Sequence, residues 1–419
     1  MASLLPRGQT IRMTNEPALP QGGQNQIQLP PVDFDKVINR RRTGSLKFDS
    51  APRRGYPEEV LPLWVADMDF PAAPPILEAM QERLVHGIFG YTEPWDAYYE
   101  SIVGWWRDNH AYALQKEWIL ESPGVVFSIS LAIKAFTKPG DGVLIQAPVY
   151  HPFFSVIEQN NRKLVVNPLK YEGRDYLMDF EDFQDKVEKE NVKLFILCSP
   201  HNPVGRVWSP RELQRIGNIC QKNGVVVVSD EIHCDITAPG FRHCVFAGMS
   251  PSCQDIAVTL TAPTKTFNLS GVQISHAFIA NEQLRAAWLA EKKASGYDEP
   301  NAFGLVACQA AYEKGRPWLD RLQRYINDNE NYVNEYLKSY IHGVYPVQRQ
   351  GTYLLWLDCW ASGYSSKEFN QRLIERGRVW LYDGIAFGAE GEGFQRLNLA
   401  CPRETLAEAM TRMSALYAR

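Results

Sequence analysis

Val225-Val-Val-Val-Ser-Asp230 and Ala262-Pro-Thr-Lys265-Thr-Phe-Asn268, whose lysine lies 35 residues after that aspartate, decide how this chain is read. The first is an apolar β-branched run with no polar alternation, the signature of a strand covered on both faces, and it closes on a carboxylate. The second places a lysine in a short polar turn after another such run, 256–260. A lysine able to form a Schiff base and a carboxylate able to hold a pyridinium nitrogen protonated are what pyridoxal phosphate asks of a protein. Taken singly, a lysine in a turn is solvated and an aspartate ending a strand caps a turn, so the pair needs support from its surroundings.

Working outward, 143–146, 164–166, 193–198, 225–229, 256–260 and 276–279 read as strands buried on both faces. Helical patterns lie between them. Ser209-Pro-Arg-Glu212, for example, offers an N-cap serine, a first-turn proline and a glutamate three residues on. The alternation predicts an α/β fold: a large domain with a mainly parallel sheet flanked by helices, whose ligands bind at the carboxyl edge of the strands. Asn202, Asp230 and Lys265 all follow such strands. After about residue 300 the pattern turns to long helices over 301–314 and 318–341, then a compact α/β tail with strands near 353–357 and 394–399. The expected organisation is an arm over 1–31, rich in Gln, Asn, Pro and Gly, then 32–73 as the first part of a small domain. The large domain spans 74–300, and 301–419 completes the small one.

Further blocks accompany the lysine and aspartate: Pro148-Val-Tyr150, Pro200-His-Asn-Pro-Val-Gly-Arg206, Ser229-Asp-Glu-Ile-His233 and Arg396-Leu-Asn-Leu-Ala-Cys-Pro-Arg403. At these residues the chain resembles the fold-type I, class I/II aminotransferase superfamily of pyridoxal phosphate enzymes. Leu61-Pro-Leu-Trp-Val-Ala-Asp-Met-Asp-Phe70 and Gly90-Tyr91-Thr92 narrow the resemblance to its MalY/PatB-like cystathionine β-lyase, or C–S lyase, branch, over roughly 33–415.

The resemblance implies a role for each residue. Lys265 carries the cofactor and, once freed, acts as the base; Asp230 faces the ring nitrogen; Asn202 donates to the ring's phenolic oxygen and borders the substrate; Tyr150 stacks on the ring. The phosphate falls to the amides of Gly124, Val125 and Val126 at the start of a helix, with the Thr264 hydroxyl beside them. On local sequence alone Gly124 reads equally as a helix-starting glycine. His233 reads as a partner near Asp230 or the ring oxygen, or as a buried structural histidine. Arg396 is the planar two-donor cation for the substrate carboxylate, Arg403 having a weaker claim. Trp64, Tyr91 and Tyr353 wall the substrate side chain. Tyr91 comes from the other subunit, where it contacts the cofactor and acts in catalysis, so the resemblance implies a homodimer with a shared site. Two departures, Phe127 after Gly124-Val-Val126 and Phe48 in Lys47-Phe48-Asp49, leave the chemical residues untouched but bear on the mouth of the site.

The expected reaction is α,β-elimination from cystathionine or an S-substituted L-cysteine to a thiol, pyruvate and ammonia. Transamination uses the same lysine, aspartate and arginine and is the alternative. A regulatory or binding protein built on the fold is a second. Composition excludes other classes. With 44 basic and 48 acidic residues and a net charge of −4, the chain has no footprint for nucleic acid or an anionic membrane. The apolar stretch over 125–136 is broken by Ser128, Ser130 and Lys134 and falls short of a membrane span. Eight cysteines without a Cys-x-x-Cys pair read as reduced thiols in the cytoplasm, and His233-Cys234 and His243-Cys244 give no regular ligand set, so no metal is expected.

Overall fold

The computed structural model describes residues 29–417, so positions 1–28 of the expected arm lie outside the described residues. Strands follow in chain order as β1 (Leu61–Pro62), β2 (Ile119–Ser122), β3 (Gly142–Ala147), β4 (Lys163–Pro168), β5 (Lys170–Glu172), β6 (Asp175–Leu177) and β7 (Val192–Cys198). Then come β8 (Val226–Asp230), β9 (Ala257–Thr261), β10 (Ser275–Phe278), β11 (Tyr345–Pro346), β12 (Leu354–Asp358), β13 (Val379–Trp380), β14 (Tyr382–Asp383) and β15 (Phe394–Asn398).

Seven of them form the large sheet in the order β2-β10-β9-β8-β7-β3-β4. The run from β9 to β4 is parallel, and β10 is antiparallel to both its neighbours. Alternate residues of each strand enter different cores. Leu194 and Ile196 pack with Val228, Val258 and the helix Val125–Phe136, whereas Phe195 and Leu197 join the cluster that reaches Leu355 and Leu397. This two-sided burial is why the runs carry no polar alternation.

Two expectations about the sheet need correction. β4 is not covered on both faces: Lys163 and Pro168 are exposed, because the strand lies at the sheet's edge. β2 was not expected, since its sequence Ile-Leu-Glu-Ser is only half apolar. Its Ser122 hydroxyl is satisfied by Ser128 Oγ at 2.6 Å and Ser275 Oγ at 2.7 Å, which lets a polar residue sit in the interior.

The helices lie close to their expected bounds, at Ala302–Lys314 and Arg316–Tyr340, and Ser209 and Glu212 form the anticipated capping box on Pro210–Lys222. Downstream, β11, β12, β15 and β14 make a four-stranded antiparallel sheet. The segment 61–70 packs against it. β1 pairs in parallel with β13, Asn398 N donates to Leu63 O at 3.0 Å, and Asp69 N donates to Ala400 O at 2.9 Å. Residues near both chain ends therefore meet over the carboxyl edge of the large sheet.

Candidate active site

Four adjacent parallel strands end at one edge, and each delivers a side chain there. Asp230 is the last residue of β8; Lys265 lies in the helical turn Pro263–Thr266 just beyond β9; Asn202 and Tyr150 follow β7 and β3. The loops are tied together. Ser199 N donates to Asp230 O at 2.9 Å, and His201 Nε2 donates to Pro148 O at 2.9 Å. Gly205, at φ +78° in the 200–206 loop, closes a turn in which its amide reaches His201 O at 2.7 Å.

Across the edge runs a strap, residues 64–70, whose carbonyls are taken by side chains from both sides. Arg396 Nη2 donates to Trp64 O at 2.7 Å, and Asn398 Nδ2 donates to Val65 O at 2.7 Å and Asp67 O at 2.6 Å. Lys265 Nζ donates to Ala66 O at 2.6 Å, and so does the Tyr353 hydroxyl at 2.9 Å. Asn268 Nδ2 binds Met68 O at 3.0 Å and Phe70 O at 2.9 Å. Behind the strap, Arg40 pairs with both Asp67 and Asp69 at 2.6 Å, and the wholly buried Lys47 reaches Asp69 at 2.7 Å. Of the strap, sequence reading placed only Trp64 in the site and missed the carbonyls. Arg396 and Asn398 stand two apart on one strand and so share a face, a periodicity that could have flagged Asn398.

Burial sets the electrostatics. Asp230 is 4% exposed, accepts from Ile232 N at 3.2 Å, and is pushed up to about 7 by loss of solvent. Lys265 is brought down to about 8 by desolvation, with Asp67 opposing that shift. Arg396 is 3% exposed and has no ion pair among the described residues; besides Trp64 O, it donates from Nη1 to Asn202 Oδ1 at 2.9 Å. Burial lowers it to about 10, and its Nε lacks a partner. A buried guanidinium with free donor capacity and no counter-ion is unstable unless an anion joins it. Its guanidinium carbon lies 4.9 Å from the Tyr382 ring centroid and 4.8 Å from that of Phe387.

The remaining expected residues divide. Thr264 is buried beside Lys265, and Tyr150 is partly buried with its hydroxyl pKa raised by desolvation. Trp64 is buried and stacks on Trp380 at 4.3 Å, while Tyr353 is buried with its hydroxyl on the strap. His233 makes no hydrogen bond to Asp230. Instead its ring meets Tyr353 edge-on at 5.7 Å, its Nδ1 lacks a partner, and desolvation, then Lys265 and Arg396, lowers it to about 3. Tyr91 is not brought in by its own chain: it is 94% exposed and lines a surface cavity of about 530 Å³ with Phe89, Glu299 and Phe303. Of the departures, Phe127 packs on Tyr297 at 5.7 Å, and Phe48 lies under the Arg40 guanidinium at 5.2 Å. Arg403 is engaged with Asn329, 2.8 Å away.

His110, Cys234 and Asp235 cluster with their ligand atoms within 4.8 Å, but the aspartate already accepts three hydrogen bonds. It accepts from His110 at 2.8 Å, Trp105 Nε1 at 2.9 Å and Thr266 Oγ1 at 2.7 Å, which anchors the turn carrying Lys265.

The arrangement fits pyridoxal phosphate on three counts. Val125–Phe136 starts at Gly124 without a side-chain cap, and a Cβ at Gly124 would meet nothing within 4 Å, so its first amides face open space suited to a phosphate. Asp230 is a buried carboxylate without a cation at hydrogen-bond distance, which a protonated ring nitrogen would supply. Lys265 releases its proton near neutral pH, as an amine that condenses with an aldehyde must.

Comparison with known proteins agrees. The aminotransferase class I and II family model matches residues 58–413. Cystathionine β-lyase PatB of Bacillus subtilis is 44% identical over 92% of this chain and 99% of its own. Cystalysin of Treponema denticola, solved with pyridoxal 5'-phosphate, superposes with a TM-score of 0.89 at 35% identity, over 92% of this chain and 98% of its own. A pyridoxal phosphate-bound C–S lyase of Staphylococcus hominis gives 0.86 at 34% identity, with the same coverage.

Proposed function

Because the chain belongs to the class I and II aminotransferase family, we propose that it is a pyridoxal phosphate-dependent carbon–sulfur β-lyase acting on cystathionine or S-substituted L-cysteines. The observation that carries this reading is the convergence of Lys265, Asp230 and the uncompensated Arg396 at one sheet edge. The 44% identity to a cystathionine β-lyase over nearly the whole chain favours elimination over transamination.

When bound, the cofactor supplies an electron sink for the pair left at the substrate's Cα. The protein does the rest. Arg396 takes the α-carboxylate with two donors, one of them released from the strap carbonyl of Trp64. Asn202, already held by Arg396 Nη1, is thereby oriented and would donate its amide to the cofactor. Asp230 keeps a proton on the ring nitrogen, an ion pair that also relieves its own burial. Lys265, neutral in a useful fraction near pH 8, takes the Cα proton at Nζ, and the C–S electron pair leaves Cβ with the thiolate. Water then completes the release of pyruvate and ammonia. The stacked Trp64 and Trp380 bound the path of the leaving group.

Tyr91 of the partner subunit completes this site in a homodimer: it is exposed on a surface with Phe89 and Ile88, both solvent-facing in the single chain. Among the described residues no helix is long and apolar enough to cross a membrane, and all eight cysteines are unpaired, which supports a reducing cytoplasm. The test is incubation of the pure protein with a panel of S-substituted cysteines and with amino-acid and keto-acid pairs. Thiol and pyruvate in equal amounts support the lyase. New amino acid formed from added keto acid, without thiol, establishes the aminotransferase instead.

A further inference from the structure

Arg54 closes a short helical turn, Pro52–Arg54, whose backbone is tightly pinned. Arg54 N and Tyr56 N both donate to Ala51 O at 3.0 Å, and Gly55, at φ +75°, turns the chain away. The side chain is exposed and has neither a hydrogen bond nor an ion pair among the described residues. The nearby Glu59 is taken by Arg378 at 3.5 Å. Arg54 instead lies over the stacked indoles, its guanidinium carbon 4.7 Å from the Trp64 ring centroid and 5.8 Å from that of Trp380. Such stacking fixes the plane of a guanidinium and leaves its edge donors free for an anion.

Trp64 touches Arg396 as well. Its carbonyl accepts from Arg396, while its ring carries Arg54. Tyr382 completes the ledge, 5.5 Å from both Trp64 and His151. Arg396 lies over the Tyr382 ring at 4.9 Å, Tyr382 meets Trp64 at 5.5 Å, and Arg54 lies over Trp64 at 4.7 Å, so this aromatic pair carries one guanidinium on each ring. A chain of contacts from Arg396 over Tyr382 and Trp64 thus ends at a second cation, Arg54.

We propose that Arg54 is a specificity-determining residue that binds a distal carboxylate on the leaving thiol, so that the preferred substrates are L-cysteine thioethers whose departing group is itself anionic. This rests on the lyase reading and narrows its substrate class. A neutral thioether gains only the apolar contact with the indoles; an acidic one gains a charge-assisted pair in addition.

The experiment compares S-carboxyethyl-L-cysteine with its near-isosteric amide, S-carbamoylethyl-L-cysteine, for the holoenzyme and for Arg54→Met, which keeps a stem over Trp64 without the charge. Because Arg54 is solvent-exposed, the wild-type preference for the acid in kcat/KM should be about fivefold, falling close to unity in the variant. Binding of the unreactive thioether diacid thiodipropionate, followed by quenching of tryptophan fluorescence, should weaken by a similar factor. Equal use of acid and amide by wild type, or an unchanged ratio and unchanged thiodipropionate affinity in Arg54→Met, overturns the proposal. Failure of the lyase reading looks different: no thiol is released from either conjugate or from S-methyl-L-cysteine, and the thiodipropionate measurement still decides for or against Arg54.

Discussion

Lys265 and Tyr353 donate to the same acceptor, the carbonyl oxygen of Ala66, at 2.6 and 2.9 Å. A carbonyl has two lone pairs, so both bonds are made in full and the strap is clamped between the large sheet and β12. The amine and the phenol are thus held on one oxygen by segments far apart in sequence. That oxygen gives the Lys265 amine a fixed resting place whenever it is not bonded to another group.

The purified protein should be yellow with bound cofactor, and borohydride should fix the pyridoxyl group on Lys265 alone. Stripped of cofactor, the protein should take it up faster as pH rises through about 8, where the buried amine loses its proton, and level off above. Peptide mapping identifies the labelled residue. A label on any other lysine rejects the assignment.

Asp230 gives a prediction about stability and pH. Its folded-state pKa is raised to about 7 from an ordinary 3.8, so between those values the folded protein holds a proton that the unfolded chain has released. Stability of the cofactor-free protein relative to Asp230→Asn should therefore fall as pH rises from about 4 to 7 and stay level above, by on the order of 4 kcal/mol. Denaturant midpoints of the two proteins across this range measure it. A difference that does not change with pH contradicts the burial argument. With cofactor bound, the wild-type decline should be largely removed. Asp230→Ala should still bind cofactor, more weakly, and lose at least ~10²-fold in rate.

How far the site was legible in the sequence depends on how local its determinants are. Lys265, Asp230, Asn202 and Tyr150 each follow a largely apolar run, so strand ends and side chains could be read together. The strap could not. Its contacts join Ala66 to Lys265 across 199 positions and Val65 to Asn398 across 333, and carbonyl partners leave no mark in a residue pattern. Arg54 was not among the residues read from the sequence, because only the packing of Trp64 on Trp380 gives it a surface to lie on. β2 escaped for a related reason: its serine is buried against two other hydroxyls, a satisfaction that only tertiary structure supplies.

Arg396→Lys should impair substrate use while leaving the visible spectrum of the bound cofactor nearly unchanged. With Nη1 on Asn202 Oδ1, arginine still has two donors for the carboxylate once Nη2 leaves Trp64 O, and a single ammonium cannot reproduce that set of bonds. A loss of about 10- to 100-fold in kcat/KM, or ~1–3 kcal/mol, is expected for every α-amino acid substrate whatever leaves from Cβ. Loss of cofactor, or a change only in the ranking of leaving groups, would show that Arg396 is not the carboxylate anchor.

Tyr91 tests whether the site is shared between subunits. Its side chain is 94% exposed in the single chain, on the same surface as Phe89, and the proposed homodimer is what brings it to Lys265 of the other protomer. Lys265→Ala and Tyr91→Ala should each be nearly inactive alone. When the two are mixed, unfolded together and refolded, half of the dimers are hybrids, and each hybrid holds one site built from an intact Lys265 and an intact Tyr91. Activity should then recover to about one quarter of wild type, the fraction that random pairing in a two-fold dimer allows. Tagged subunits separated by affinity chromatography would place that activity in the hybrid fraction. No recovery in verified hybrids would mean that Tyr91 serves its own chain or no active site at all.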